Sequence, residues 1–200
     1  MFYAPRTEPH GLPHDPFLAL VAPRPIGWIS TLSADGVRNL APYSYFAAFS
    51  TRPYVVGFSS SGRKDSLVNV EATGEFVFNL AVYDLREAMN ASSAGVGPEV
   101  DEFTLAGLTS VPGRVVRAPR VVETPVALEC VHTQTVPILG KAGGEAKNWL
   151  VLGEVVGIHI ADEVLTNGHV DITRLRPLAR LGYRDYASID TIFEMDRPRA

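Results

Sequence analysis

One cysteine, no surplus of positive charge and no long apolar run: these scarcities narrow the reading of the 200-residue chain first. Cys130 alone excludes an intramolecular disulfide and any cysteine-cluster metal site. It alternates with Val126 and Leu128 in VALECVH, which reads as a buried small hydrophobe rather than a reactive thiol. The formal net charge is −4, so no global basic field draws in nucleic acid or an anionic membrane. An anionic ligand must instead be held by local cations. The N-terminal MFYAPRTEPH lacks a signal-peptide pattern and no run approaches a membrane span, so the expectation is a soluble cytoplasmic protein. Missing too are GxGxxG after a first strand, GxxxxGK[ST], Gly-x-Ser-x-Gly and His-Glu-x-x-His; SSSGRKDS and ASSAGVGPE have the wrong spacing for a nucleotide loop. His10 and His14 stand four apart, but Gly11 and Pro13 break the helix that would align them, and no metal is expected.

What is present suits one domain with a substantial core: 46% of residues are hydrophobic and 20% charged, and no low-complexity linker divides them. Residues 1–22, rich in Pro and His, read as an arm with at most one helical turn. The domain proper is expected over 23–183, with a charged tail over 184–200. From 54 to 82 the pattern is strand, helix, strand, the helix starting at an Asp65 N-cap and closed by Gly74. Tyr83 to Ala94 reads as a second helix, Asp84 and Glu87 having capping-box spacing. DEFTLAGL predicts a short helix. PVALECVHTQTVPIL and NWLVLGEVVGIHI predict a hairpin whose tip, KAGGEAKN, is long and mobile. Many short strands with few helices make the fold mainly β, a closed or nearly closed barrel.

The chemistry concentrates between Arg24 and Ser66. Ile26, Trp28 and Ser30 alternate with Ile29 and Thr31 along a strand, and Asp35-Gly36 signals a hairpin turn. Asn39 to Phe46 is too hydroxyl-rich for plain core and too aromatic for an ordinary loop. SSSGRKDS then gathers hydroxyls, a glycine and two cations, the donors a phosphate needs, beside a helix start. A solvated, capped turn would have the same composition, and the residues alone do not choose between the two.

PRPIGWIST, NLAPYSYF, KDS, TGEFVFNL, MNASS, DEF followed by AGL, and VALEC occur in this order from about Pro23 to Tyr183. Together they resemble the flavin reductase-like, FMN-binding split-barrel family, in the branch of nitrilotriacetate monooxygenase component B and flavoredoxin. The resemblance implies a six-stranded Greek-key split barrel that forms a homodimer, with FMN in a groove near the subunit interface. It places Ser30 and Thr31 near the flavin and Ala41, Pro42, Tyr43, Ser44, Tyr45 and Phe46 along the isoalloxazine ring. Ser59 and Ser60, then Arg63, Lys64, Asp65 and Ser66, would hold the ribityl phosphate. The implied activity is an FMN-dependent oxidoreductase carrying electrons from NAD(P)H to an acceptor or a partner monooxygenase. A flavoredoxin-type carrier without NAD(P)H activity and a barrel that has lost its cofactor are the other classes. No catalytic side chain is implied, because the flavin itself accepts the hydride.

Some residues stay open at this stage. Trp28 reads as core. Arg24, between two prolines, suits a surface salt bridge or a phosphate. Asn90, Ser92 and Ser93 could touch a ligand or partner, or simply end a helix in solvent, the second being favoured. Two-component flavin reductases often carry a functional histidine in a late Gly-Arg-Tyr segment. NGHVDITRL occupies that region here, leaving His159 and His169 as weak candidates, while His132 reads as structural.

Overall fold

The computed structural model describes residues 1–198. One antiparallel sheet of seven strands dominates: β1 (Gly27–Leu32), β2 (Arg38–Tyr43), β3 (Phe46–Thr51), β4 (Tyr54–Ser61), β5 (Glu75–Leu80), β6 (Val126–Gly140) and β7 (Gly143–Ile160). Their spatial order is β2-β1-β5-β6-β7-β4-β3. The two edge strands are consecutive in sequence and joined only by Ser44 and Tyr45. The sheet therefore curls until its edges nearly meet without pairing: a split barrel. The resemblance implied six strands and the dominant sheet has seven, with β3 at one edge paired to β4 (Phe46 opposite Phe58).

Alternation along β1 divides the core. Ile29 faces the barrel interior with Phe58, Phe76, Phe78 and Val151, while Ile26 and Trp28 join an outer cluster with Leu40, Met89, Phe103 and Leu178. All of β1 but Leu32 is buried, as expected of a strand covered on both faces. Gly153 on β7 lies where a Cβ would come within 2.4 Å of the Phe76 ring, so the interior closes there only around a glycine.

Five α-helices lie outside the strands among the described residues, three of them in the middle of the chain: α1 (Asp65–Thr73), α2 (Arg86–Ala91) and α3 (Glu102–Leu105). α1 plugs the barrel with Leu67 and Val70 and ends at Gly74 with φ 75°, the left-handed cap expected of glycine. Its N-cap, however, is Lys64; Asp65 is the first helical residue and makes no capping bond, although its charge still complements the helix dipole. The helix expected over Tyr83–Ala94 is a 3-10 turn, Tyr83–Leu85, followed by the shorter α2, and no capping box forms. Tyr83 N instead donates to Arg176 O, and Asp84 and Glu87 face Arg176 and Arg86. The helix in DEFTLAGL is α3, with Asp101 as its N-cap.

The hairpin tip is tighter than predicted. Only Lys141 and Ala142 lie outside the strands, and a register shift between Gly143 and Asn148 takes up the glycine- and charge-rich surplus. Backbone pairing does not depend on the side chains, and a bulge absorbs the surplus residues of one strand. In the arm, Phe17–Leu20 forms the single helical turn. Arg24 makes no salt bridge among the described residues: it is buried and donates to Leu18 O, Val21 O and Leu181 O, tying the arm to the C-terminal region. That tail begins as a strand, Tyr186–Ser188, paired with Leu178–Arg180. No described helix is long and apolar enough to cross a membrane.

Candidate functional site

A cleft of about 530 Å³ opens at the barrel rim where β2 runs into the Ser44-Tyr45 link. Ala41, Pro42, Tyr43, Ser44 and Tyr45 form one wall, and Ser59, Lys64, Asp65 and Ser66 another. Nine of the residues singled out from the sequence thus meet in one concavity. Lys64, Asp65 and Ser66 are themselves the start of α1, whose first amides have no intrahelical acceptor and no side-chain cap. Lys64 makes no ion pair among the described residues.

The other five lie elsewhere. Ser30 is fully buried, donates to Pro119 O and accepts from Asn79 Nδ2 at 2.9 Å. Thr31, also buried, donates to Asn39 Oδ1 at 3.2 Å, so it stands behind the cleft wall. Phe46 stacks on Phe78 with ring centroids 4.5 Å apart, forming the wall of an adjoining hollow that shares Ser44, Tyr45 and Ser59. Ser60 turns inward and donates to Gly62 O. Arg63 pairs with Glu71 along α1.

Sequence reasoning missed Asn39, Ser61, Glu102 and Ala94 to Val96, and favoured a solvated helix end over a ligand contact for Ser92 and Ser93. Two of these had a signal. Asn39 shares the face of Ala41 and Tyr43 along β2, and Ser61 shares that of Ser59 along β4, by strand alternation. Ser92 and Ser93 do line the cleft; Ser92 is 2% exposed, accepting from Trp28 Nε1 at 2.9 Å and donating to Met89 O at 2.8 Å. Glu102 had no signal: the docking of α3 against β2 buries it, where it accepts from Leu40 N and Asn39 Nδ2, both at 3.0 Å.

Tyr43 is the most telling group. Its ring packs 4.6 Å from that of Phe58, and its buried Oη has no hydrogen-bond partner. Burial raises the phenol above its usual pKa; the Ser66 and Ser60 hydroxyls pull the other way without completing a bond, their protons going to Asn39 Oδ1 and Gly62 O. A buried hydroxyl left unsatisfied on a cleft wall is what a ligand acceptor or donor would complete.

His159 and His169 do not line this cleft. His159 Nε2 lies 2.5 Å from Glu129, and His169 sits in an exposed two-strand ribbon opposite Thr166. His10 accepts from Leu12 N, while His14 packs edge-on against Tyr183.

Residues 20–184 match the flavin reductase like domain. The chain belongs to that family. An uncharacterized protein of Halalkalibacterium halodurans, BH2278, is 37% identical over 186 residues, spanning 90% of this chain and 88% of that protein. Among solved structures, nitrilotriacetate monooxygenase component B from Bacillus cereus superposes with a TM-score of 0.89 at 29% identity, covering 98% of each chain. Flavoredoxin of Desulfovibrio vulgaris gives a TM-score of 0.79 at 20% identity, covering 94% of this chain and 96% of that one, a likeness of fold.

Proposed function

We propose that the cleft holds FMN and that the protein is an FMN-dependent oxidoreductase, passing electrons from NAD(P)H to an acceptor or a partner monooxygenase. The observation that carries this reading is the mixed lining of the cleft. It brings strand backbone and aromatic bulk, Ala41 to Tyr45, together with Lys64, the Ser59, Ser61 and Ser66 hydroxyls and the open amides of α1. The unpaired Tyr43 hydroxyl lies beside Ser66, where the two kinds of lining meet. A flat ring with one hydrogen-bonding edge and an anionic tail needs both, so the residues present fit the group. When bound, FMN supplies the hydride- and electron-accepting chemistry.

The chain's own residues have simpler tasks. Pro42 and Tyr45 would cover the ring, and the backbone of Ala41 to Ser44 would orient its polar edge. Lys64 and Ser66 would anchor the phosphate, fixing the ring at one depth. The exposed Tyr45, with the exposed Phe49 in the same adjoining hollow, supports a homodimer that closes the mouth of the site. Similarity to a monooxygenase component supports a partner enzyme as acceptor.

A visible absorption spectrum of the purified protein, before and after anaerobic NADH and then NADPH, tests the proposal. A yellow protein that bleaches is expected, and the effective nucleotide identifies the donor. A yellow protein that stays oxidised with both would make it an electron carrier, and one that stays colourless after FMN is added would remove the cofactor assignment. Lys64→Ala should weaken FMN binding roughly ten- to hundredfold, the loss of one charge-assisted contact. An unchanged Kd by fluorescence titration would move the phosphate elsewhere.

A further inference from the structure

Glu102 sits awkwardly in a cleft read as accepting a phosphate. Its side chain is 4% exposed, lines the cleft and accepts two hydrogen bonds, yet no cation pairs with it among the described residues. Asn39, which donates to it, accepts from Ser66 Oγ at 2.7 Å. The carboxyl is therefore one side chain removed from the start of α1, where the phosphate donors gather.

The charges around it do not compensate. From β2, Arg38 is engaged with Asp101 and Ser110 on the outer side, and Tyr43 brings a neutral phenol. α1 brings Asp65, and the residue before it brings Lys64. α3 itself contributes only Asp101, already held by Arg38, and Ser92 to Val96 carry no charge. Two carboxyls thus face one ammonium before any ligand arrives. Burial already raises the Glu102 pKa; the Leu40 and Asn39 bonds oppose that, and Asp65 adds to it. A bound phosphomonoester would bring a further ~1.5 to 2 negative charges to the same wall.

We infer that Glu102 takes up a proton from solvent when the FMN phosphate enters the cleft, coupling cofactor binding to protonation of this one carboxyl. The inference rests on the flavin reading of the cleft. One proton leaves buffer and forms one O–H bond on the carboxyl; nothing is oxidised or reduced. The neutral acid still accepts from Leu40 N and Asn39 Nδ2 and gains a donor, so like-charge repulsion becomes a possible hydrogen bond. Discrimination follows as well: a flavin without the phosphate gives Glu102 no reason to protonate.

The test is calorimetric titration of the cofactor-free protein from about pH 8 down to about pH 5, in two buffers of different ionisation enthalpy, beside the same titration of Glu102→Gln. A free phosphomonoester has a second pKa of about 6, and the comparison with Glu102→Gln removes its own contribution. More proton uptake per FMN is expected in the wild type than in Glu102→Gln and none with riboflavin, and the wild-type FMN Kd should weaken more steeply as pH rises, by up to about tenfold per pH unit. The fold of Glu102→Gln is checked by thermal melting. Equal proton uptake with FMN in the wild type and a folded Glu102→Gln, or equal uptake with riboflavin and FMN, would overturn this inference and leave the flavin site standing. If FMN does not bind at all, the site assignment fails with it.

Discussion

Glu129→Ala is expected to lower the unfolding free energy by about 3–5 kcal/mol, the cost of breaking a buried pair from one side. Glu129, fully buried on β6, accepts from Arg114 N (2.7 Å), Val115 N (2.6 Å), Val116 N (2.9 Å) and His159 Nε2 (2.5 Å). Three consecutive amides of the segment leading to Pro119 thus hang on one carboxylate, and Val116 and Ala118 pack with Val77 and Ala127 beneath it. Alanine would leave those amides without an acceptor and His159 without its partner. Burial alone would raise the Glu129 pKa; the bond from His159 and the three amides outweigh it and bring it from 4.5 down to about 2. The folded value is the lower one, so the unfolded chain binds the extra proton. The contribution is therefore complete above about pH 4.5 and is lost as pH falls toward 2, on the order of 3 kcal/mol in all. Urea unfolding followed by tryptophan fluorescence at neutral pH, and again down the acid limb, measures both effects. The variant should be weaker at pH 7 and show a flatter acid dependence; a neutral-pH difference under about 1 kcal/mol would mean the loop does not depend on this carboxylate.

This anchor was invisible in the sequence, where Glu129 is one polar residue in an alternating strand. Local signals carried well: alternation about β1, the glycine closing α1 and the short helix after Asp101 depend on neighbours within a few residues. Caps carried poorly, because Asp84 is drawn to Arg176, more than ninety positions away. The site was half legible for a related reason. The segment from Ser59 to Ser66 was singled out by composition, but composition does not say which hydroxyls share a side. Ser59 and Ser61 face the cleft and Ser60 the interior, as a period of two requires. Applied to Ser59, that rule alone would have exchanged Ser60 for Ser61. Glu102 and the Ser92 wall needed the tertiary fold, since nothing near them in sequence reports the strands and helices that bury them.

Trp28→Ala should cost about 3–5 kcal/mol, and Trp28→Phe should separate what the ring does for the core from what its N–H does for the site. The indole is fully buried among Leu40, Met89 and Phe103, so its bulk belongs to the outer cluster, as the alternation of β1 implied. Its Nε1, however, donates to Ser92 Oγ, and Ser92 is where α2 gives way to the cleft wall. The bond is the link by which a core side chain fixes the position of residues 92–96. Phenylalanine keeps most of the apolar contact but leaves the Ser92 oxygen short of a donor in a place water does not reach, a loss of about 1–3 kcal/mol. If that wall helps hold the cofactor, part of the loss appears as weaker binding: FMN Kd is expected to rise about tenfold in Trp28→Phe, equivalent to about 1.4 kcal/mol. Denaturant titration gives the stability and fluorescence quenching of FMN gives the affinity, on the same preparation. A stable Trp28→Phe with unchanged FMN affinity would show that the Ser92 wall does not bear on the cofactor. A Kd that rises while stability barely moves would place this hydrogen bond in the service of the site rather than of the fold.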